Sequence, residues 1–203
     1  LLAGSGDREL STTMILNRVI SVLLKDSEFK QRVVPIFSDE ARTFGMEGLF
    51  RQLGIYNPLG QVYEPEDREQ LMYYREDQKG QLFQQGITES GCMASWIAVA
   101  TSCATTGVPM VPFFTYYSMF GYQRVGDLVW AAGDSRARGF LIGGTAGRTT
   151  LAGEGLQHQD GHNYMMFGMV PNCVSYDPTF SYEMAVIVQN GLYRMYQQQE
   201  DVF

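Results

Sequence analysis

The sequence predicts an α/β domain on a mostly parallel, doubly wound sheet, and three observations carry that prediction. Short runs such as "RVVPIF", "PMVPFFTYY" and "GFLIGG" lack a polar face, as strands covered on both sides do. Segments with apolar residues at helical spacing alternate with them. Glycine-rich or acidic loops follow the strands, at the sheet end where open α/β proteins collect ligands. The length of 203 residues, 45% of them apolar, suits one such domain with a sizeable core.

In order, Ser11 is placed to cap a first helix reaching about Leu24, with Ile15, Val19, Leu23 and Leu16, Ile20, Leu24 repeating on its buried side. The strand "RVVPIF" leads into "SDEARTFGMEGLF", where a helix is expected from about Ala41. Residues 54–80 turn polar and are punctuated by Asn57-Pro58, Gly60 and Glu64-Pro65, which predicts a long surface excursion that is functional or mobile. A helix over about 92–106, the strand "PMVPFFTYY", a helix through Gly126 to Ala132, the strand "GFLIGG", a strand "CVSYD" and a helix over about 181–196 complete the alternation. Residues 1–10 read as a flank and 11–203 as the domain. The final "QQQEDVF", a charged turn entering an apolar run, reads as a cut within a longer protein, so an exposed sheet edge and poor solubility in isolation are expected.

Composition excludes several classes. The formal net charge of −7 opposes a nucleic-acid footprint, which needs clustered Lys and Arg. Three cysteines without a C-x-x-C pair indicate neither a disulfide framework nor a zinc knuckle, and they read as reduced, mostly buried thiols of a cytosolic protein. No apolar stretch suits a membrane span or a signal peptide.

Both histidines, His158 and His162, lie in "GGTAGRTTLAGEGLQHQDGH". Their spacing, with Glu154 and Asp160 nearby, raises metal ligation, but the H-E-x-x-H pattern fails at its second position and Gly161 interrupts the helix it needs, so no metal is predicted. A structural role and polar work on a ligand both remain, the glycines favouring the ligand because they permit close backbone approach. "GFLIGGTAG" has Walker-like spacing from Gly139 to Gly144, yet Thr145 stands where Lys is required. Glu89, in "GITES" before an apolar helix, either supports the helix dipole or does chemistry. The aromatic run "VPFFTYYSMFGYQR" reads first as core.

Three stretches resemble a known family: "SDEARTFGMEGLFRQLGIY", "FTYYSMFGYQRVGDLVWAAGD" and "RGFLIGGTAGRTTLAGEGLQHQDGH". They are similar to the middle part of homodimeric-type pyruvate dehydrogenase, the thiamine-diphosphate-dependent decarboxylating component of the bacterial pyruvate dehydrogenase complex, over nearly the whole chain. The resemblance implies a three-layer pyrimidine-binding domain of transketolase-like fold. It implies that Glu89 contacts N1′ of the cofactor's aminopyrimidine, that Phe120 stacks on that ring beside Tyr117, and that His158 hydrogen-bonds substrate. It places Asp39 and Glu40 among active-site acids and Arg124 in an acidic relay between paired sites. Glu154 and His162 are further candidates, His162 with a loop-holding role open to it. The excursion from about 59 to 75 corresponds to a loop that orders over the occupied site and faces the lipoyl partner.

The implied cofactors are thiamine diphosphate and magnesium. The G-D-G…Asn signature that holds magnesium and the diphosphate does not occur, so this half is expected elsewhere and the chain alone is expected to be inactive. The implied partners are pyruvate, a second copy in a homodimer and the lipoyl domain of the acyltransferase component, without nucleic acid or membrane, in the cytoplasm. The alternatives are a related 2-oxo-acid dehydrogenase and a non-catalytic dimerisation or assembly module.

Overall fold

The computed structural model describes residues 1–38, 41–66, 74–146, 155 and 158–203. Its centre is a four-stranded sheet in the order β4-β1-β5-β6, parallel throughout, formed by β1 (Val33–Phe37), β4 (Phe83–Gln84), β5 (Val111–Tyr117) and β6 (Phe140–Gly144). All five β1 residues and the first six of β5 are buried, which is why their sequences show no polar alternation. Phe113 of β5 stacks on its register partner Phe140 of β6, centroids 4.6 Å apart.

Helices α3 (Glu89–Ala100) and α5 (Tyr122–Asp134) pack on each other, and α1 (Thr12–Leu23) pairs with α7 (Ser181–Leu192). With the sheet between them they give the three-layer α/β architecture. Trp96 of α3 is fully buried and donates its indole N–H to the Phe140 carbonyl at 3.1 Å, so its one polar atom is satisfied inside the core. Ser11 caps α1 by accepting from the Met14 N–H, as its position predicts. From the same helix, buried Asn17 donates to the carbonyls of Phe44 and Gly45 at 2.9 and 3.0 Å, which ties the 41–46 turn to α1.

Several elements differ from expectation. The helix expected from Ala41 begins instead as α2 (Gly48–Leu53), because the chain first turns through Arg42–Gly45, where Gly45 has φ +63°. Helix α3 starts at Glu89, three residues early, since Thr88 supplies the cap by accepting from the Gly91 N–H. The helix read over 92–106 stops at Ala100 and resumes as the short α4 (Cys103–Thr106). "CVSYD" forms no strand. Its contact is with Phe203, which donates to Asn172 and accepts from Val174, the pattern of a parallel rung. Within the polar excursion, β2 (Ile55–Tyr56) and β3 (Glu76–Asp77) pair in parallel, and Glu76 accepts from Asn57, Tyr74 and Tyr63, tying together its two described arms.

Candidate active site

The carboxyl ends of β4, β5 and β6 deliver one group of side chains. β4 leads through Gly86 to Thr88 and Glu89, the first residue of α3. β5 ends at Tyr117 and passes through a 3-10 turn, Ser118–Phe120, into α5, which carries Arg124 in its first turn. β6 ends at Gly144, from which the chain goes on to His158. This is the location an open parallel sheet reserves for ligands.

Contacts link the group continuously. Arg124 donates from Nη1 to Oε1 of Glu89 at 2.7 Å, and its guanidinium lies 4.1 Å from the centroid of the Phe120 ring. The side chain of Glu89 is only 11% exposed whereas that of Arg124 is 46% exposed, so the acid is covered and the base is open to solvent. His158 presents its ring edge-on to Phe120 and to Tyr117, at 5.7 and 5.0 Å between centroids. Tyr117 in turn meets Phe120 edge to face at 6.3 Å and Phe44 at 5.2 Å. A carboxylate, a cation, an imidazole and an aromatic wall therefore lie together at the carboxyl end of the sheet, a combination that can orient a flat nitrogenous ring and exchange a proton with it.

A second set of groups fixes the end of the histidine segment. Buried Asp160 accepts from the Ser118 hydroxyl and from the backbone N–H groups of His162 and Asn163, while Asn163 donates to the Ser118 carbonyl and accepts from the Tyr122 N–H. Burial pushes the Asp160 carboxyl upward, but these hydrogen bonds outweigh it and hold the group below the usual carboxylate range. The β6 end is equally crowded: a Cβ on Gly143 would meet Ser118, and one on Gly144 would overlap the Phe44 ring. At these two positions glycine serves packing within the chain, where the sequence favours a ligand.

Of the residues singled out in the sequence, Glu89, Tyr117, Phe120, Arg124 and His158 are thus brought together. His162 is not in that contact chain: its Nδ1 lies 3.3 Å from Asp160, and it lines a separate cleft of about 620 Å³ that runs between β6 and the segment containing Cys173 and Tyr176. Asp39, Glu40 and Glu154 lie outside the described residues. Phe44, Ser118 and Asn163 escape sequence reasoning. A signal existed for Asp160, since "DGHN" is a sequence in which an aspartate caps the N–H groups two and three residues on. Among the described residues no three His, Cys, Asp or Glu side chains gather as a metal site, and no helix is long and apolar enough to cross a membrane. The cysteines are all free. Cys92 is buried, Cys173 half-buried and Cys103 exposed, so "mostly buried" describes only part of the set.

Comparison with known proteins agrees with this architecture. The family described as "Pyruvate dehydrogenase E1 component middle domain" matches residues 2–203. The pyruvate dehydrogenase E1 component of Pseudomonas aeruginosa is 63% identical over 203 residues, covering 100% of this chain and 23% of that protein. The component from Escherichia coli K12 is 61% identical over 197 residues, 97% of this chain and 22% of that protein. The chain thus spans less than a quarter of the curated relatives it matches. Transketolase from Leishmania mexicana shares the fold, with a TM-score of 0.68 at 16% identity over 90% of this chain and 23% of that one. On the family match and on the identity across its whole length, the chain belongs to the pyruvate dehydrogenase E1 component middle-domain family.

Proposed function

We propose that this chain is the aminopyrimidine-binding segment of a thiamine-diphosphate-dependent E1 that decarboxylates pyruvate and reductively acetylates the lipoyl group of an acyltransferase component. The observation that carries the reading is the unbroken contact chain Glu89, Arg124, Phe120, His158, Tyr117 at neighbouring strand ends. The donor set suits an aminopyrimidine: a largely covered carboxylate beside a phenyl face is what a flat nitrogen base requires, and the Arg124 guanidinium, also flat and rich in N–H groups, satisfies both partners at once.

When bound, thiamine diphosphate supplies the nucleophilic carbon and the electron sink for decarboxylation. The chain's own contribution is positional and protonic. Glu89 would hold the aminopyrimidine by a ring nitrogen and share a proton with it. Phe120, Tyr117 and Phe44 form the apolar wall that excludes water and strengthens that interaction. His158 supplies a polar group to the substrate end, and the Asp160–Ser118 contact holds the segment that carries it. Magnesium and the diphosphate are assigned to another part of the longer protein, which works as a cytoplasmic homodimer feeding the product of glycolysis into the complex.

The test is pyruvate-dependent reduction of an artificial electron acceptor by the full-length enzyme with thiamine diphosphate and magnesium, comparing wild type with Glu89→Gln. Activity that collapses in the variant supports both the reaction and the residue. A folded, cofactor-loaded enzyme that ignores pyruvate points to another 2-oxo acid or to an assembly module.

A further inference from the structure

We propose that Asp160 is a positioning residue for His158: through Ser118 it holds the segment that carries the histidine at a set distance and angle from the turn that carries Phe120, and turnover depends on that spacing. This rests on the reading of the site given above and extends it from the groups that meet the ligand to the one that sets their separation.

The two segments meet at two points. At one, the His158 ring stands edge-on to Phe120, with centroids 5.7 Å apart. At the other, two residues further along the first segment and two residues back along the second, Asp160 accepts from the Ser118 hydroxyl. A lone ring contact lets a segment swing about it, whereas a second attachment so close in sequence fixes the angle as well. Asn163 strengthens the joint by donating to the Ser118 carbonyl and accepting from the Tyr122 N–H at 3.0 Å, and Asp160 also pairs in parallel with Ala146, just beyond β6.

The choice of a carboxylate fits this task. Asp160 is only 4% exposed, so its charge is largely withdrawn from water, and it needs good donors to offset that cost. Its two oxygens divide them. Oδ1 takes the backbone N–H groups of His162 and Asn163 at 3.0 and 3.1 Å, which shapes its own turn, and Oδ2 takes the Ser118 hydroxyl across the gap between elements. An ionised carboxylate accepts on both sides, while an amide in its place would turn a donor of its own towards one of these partners. The local turn can therefore survive a change that breaks the cross-element bond, and the two effects are separable.

The experiment is a double-mutant cycle in the full-length enzyme with thiamine diphosphate and magnesium. Asp160→Asn and Ser118→Ala are each made alone and combined with His158→Ala. The readouts are kcat/KM for pyruvate, cofactor affinity by calorimetry, and amide hydrogen exchange over residues 158–163 by mass spectrometry. Each single variant should lower kcat/KM by roughly ten- to a hundredfold, the cost of a misplaced reacting group, with cofactor affinity held within about threefold and exchange of the segment faster than in wild type. With His158 already replaced by Ala, the same substitutions should cost less than about twofold, because a residue that acts through the histidine then has nothing to position. Equal losses in both backgrounds overturn the proposal, since a contact that only stabilises the fold acts independently of His158. Unchanged turnover in both single variants overturns it too, as does cofactor affinity that falls as far as kcat/KM. Thermal unfolding shows whether each variant is folded, and Ser118→Ala, which removes only a hydroxyl, carries the cycle if Asp160→Asn does not fold. If His158→Ala itself turns over like wild type, the reading of the site fails. If His158→Ala is impaired and the losses add, only the positioning role fails.

Discussion

Cys92 lies one helical turn beyond Glu89, close enough to the candidate site to invite a nucleophilic role, and its surroundings oppose one. Burial, reinforced by the Glu89 charge, pushes its thiol up to about 12, and burial does the same for Cys173. At pH 8 the thiolate fraction of either is on the order of 10⁻⁴, too little for useful attack. Alkylation of the native protein with iodoacetamide should therefore mark exposed Cys103 first and leave the other two unmodified until unfolding. Comparable labelling of Cys92 in the folded state would contradict this. His158 calls for a different expectation. Its ring meets Phe120 and Tyr117 edge-on, so truncation removes a polar group from the site while leaving the aromatic wall. His158→Ala in the full-length enzyme should lower kcat/KM for pyruvate by about 100-fold or more, the scale of a lost acid–base or oxyanion contact, with cofactor affinity within about threefold of wild type. Equal loss of both would assign the residue to holding the loop.

At the scale of elements, the hydrogen bonds around Asp160 join the turn after β5 to the segment after β6, and their cost of removal can be stated. Asp160→Ala leaves the Ser118 hydroxyl and two backbone N–H groups without their acceptor inside the protein, which should lower stability by about 1–3 kcal/mol. Because the folded carboxyl titrates below its ordinary value, this stabilisation is fully present above about pH 4 and is lost as pH falls through the depressed value. The stability gap between wild type and Asp160→Asn should accordingly be widest near neutrality and shrink in acid. A gap independent of pH would show that shape, and not charge, does the holding. Such cross-element contacts also mark what periodicity can and cannot reveal. β1, β5 and β6 are legible because their apolar runs are long enough to register. β4 is two residues between Gly80 and Gly86, too short for any period, although it carries the chain to Glu89. The start of α3 is misread because the apolar stripe begins at Cys92, whereas the helix is fixed by the Thr88 cap, which owes nothing to hydrophobicity. The same limit explains why Phe44, which touches Tyr117 through a turn held by Asn17, gives no sign in the sequence.

Across the whole molecule, the candidate site is one wall. The described contacts of Glu89, Phe120 and His158 lie on the sheet's carboxyl side, and among the described residues no three His, Cys, Asp or Glu side chains gather there as a metal site. The chain covers less than a quarter of its curated relatives, and on the function proposed above the remainder of the cofactor's binding energy comes from outside these residues. Proximity and orientation supply a large share of an enzyme's rate, about 7–11 kcal/mol in well-oriented cases, and a cofactor held by its ring alone forfeits most of that share. The 203-residue chain, folded and supplied with thiamine diphosphate, magnesium and pyruvate, should therefore release no carbon dioxide above the buffer rate, while the full-length enzyme does so under the same conditions. Weak, magnesium-independent binding of the cofactor by the isolated chain would fit a one-walled site. Turnover by that chain would place the whole catalytic apparatus within these residues and would require a diphosphate site among them.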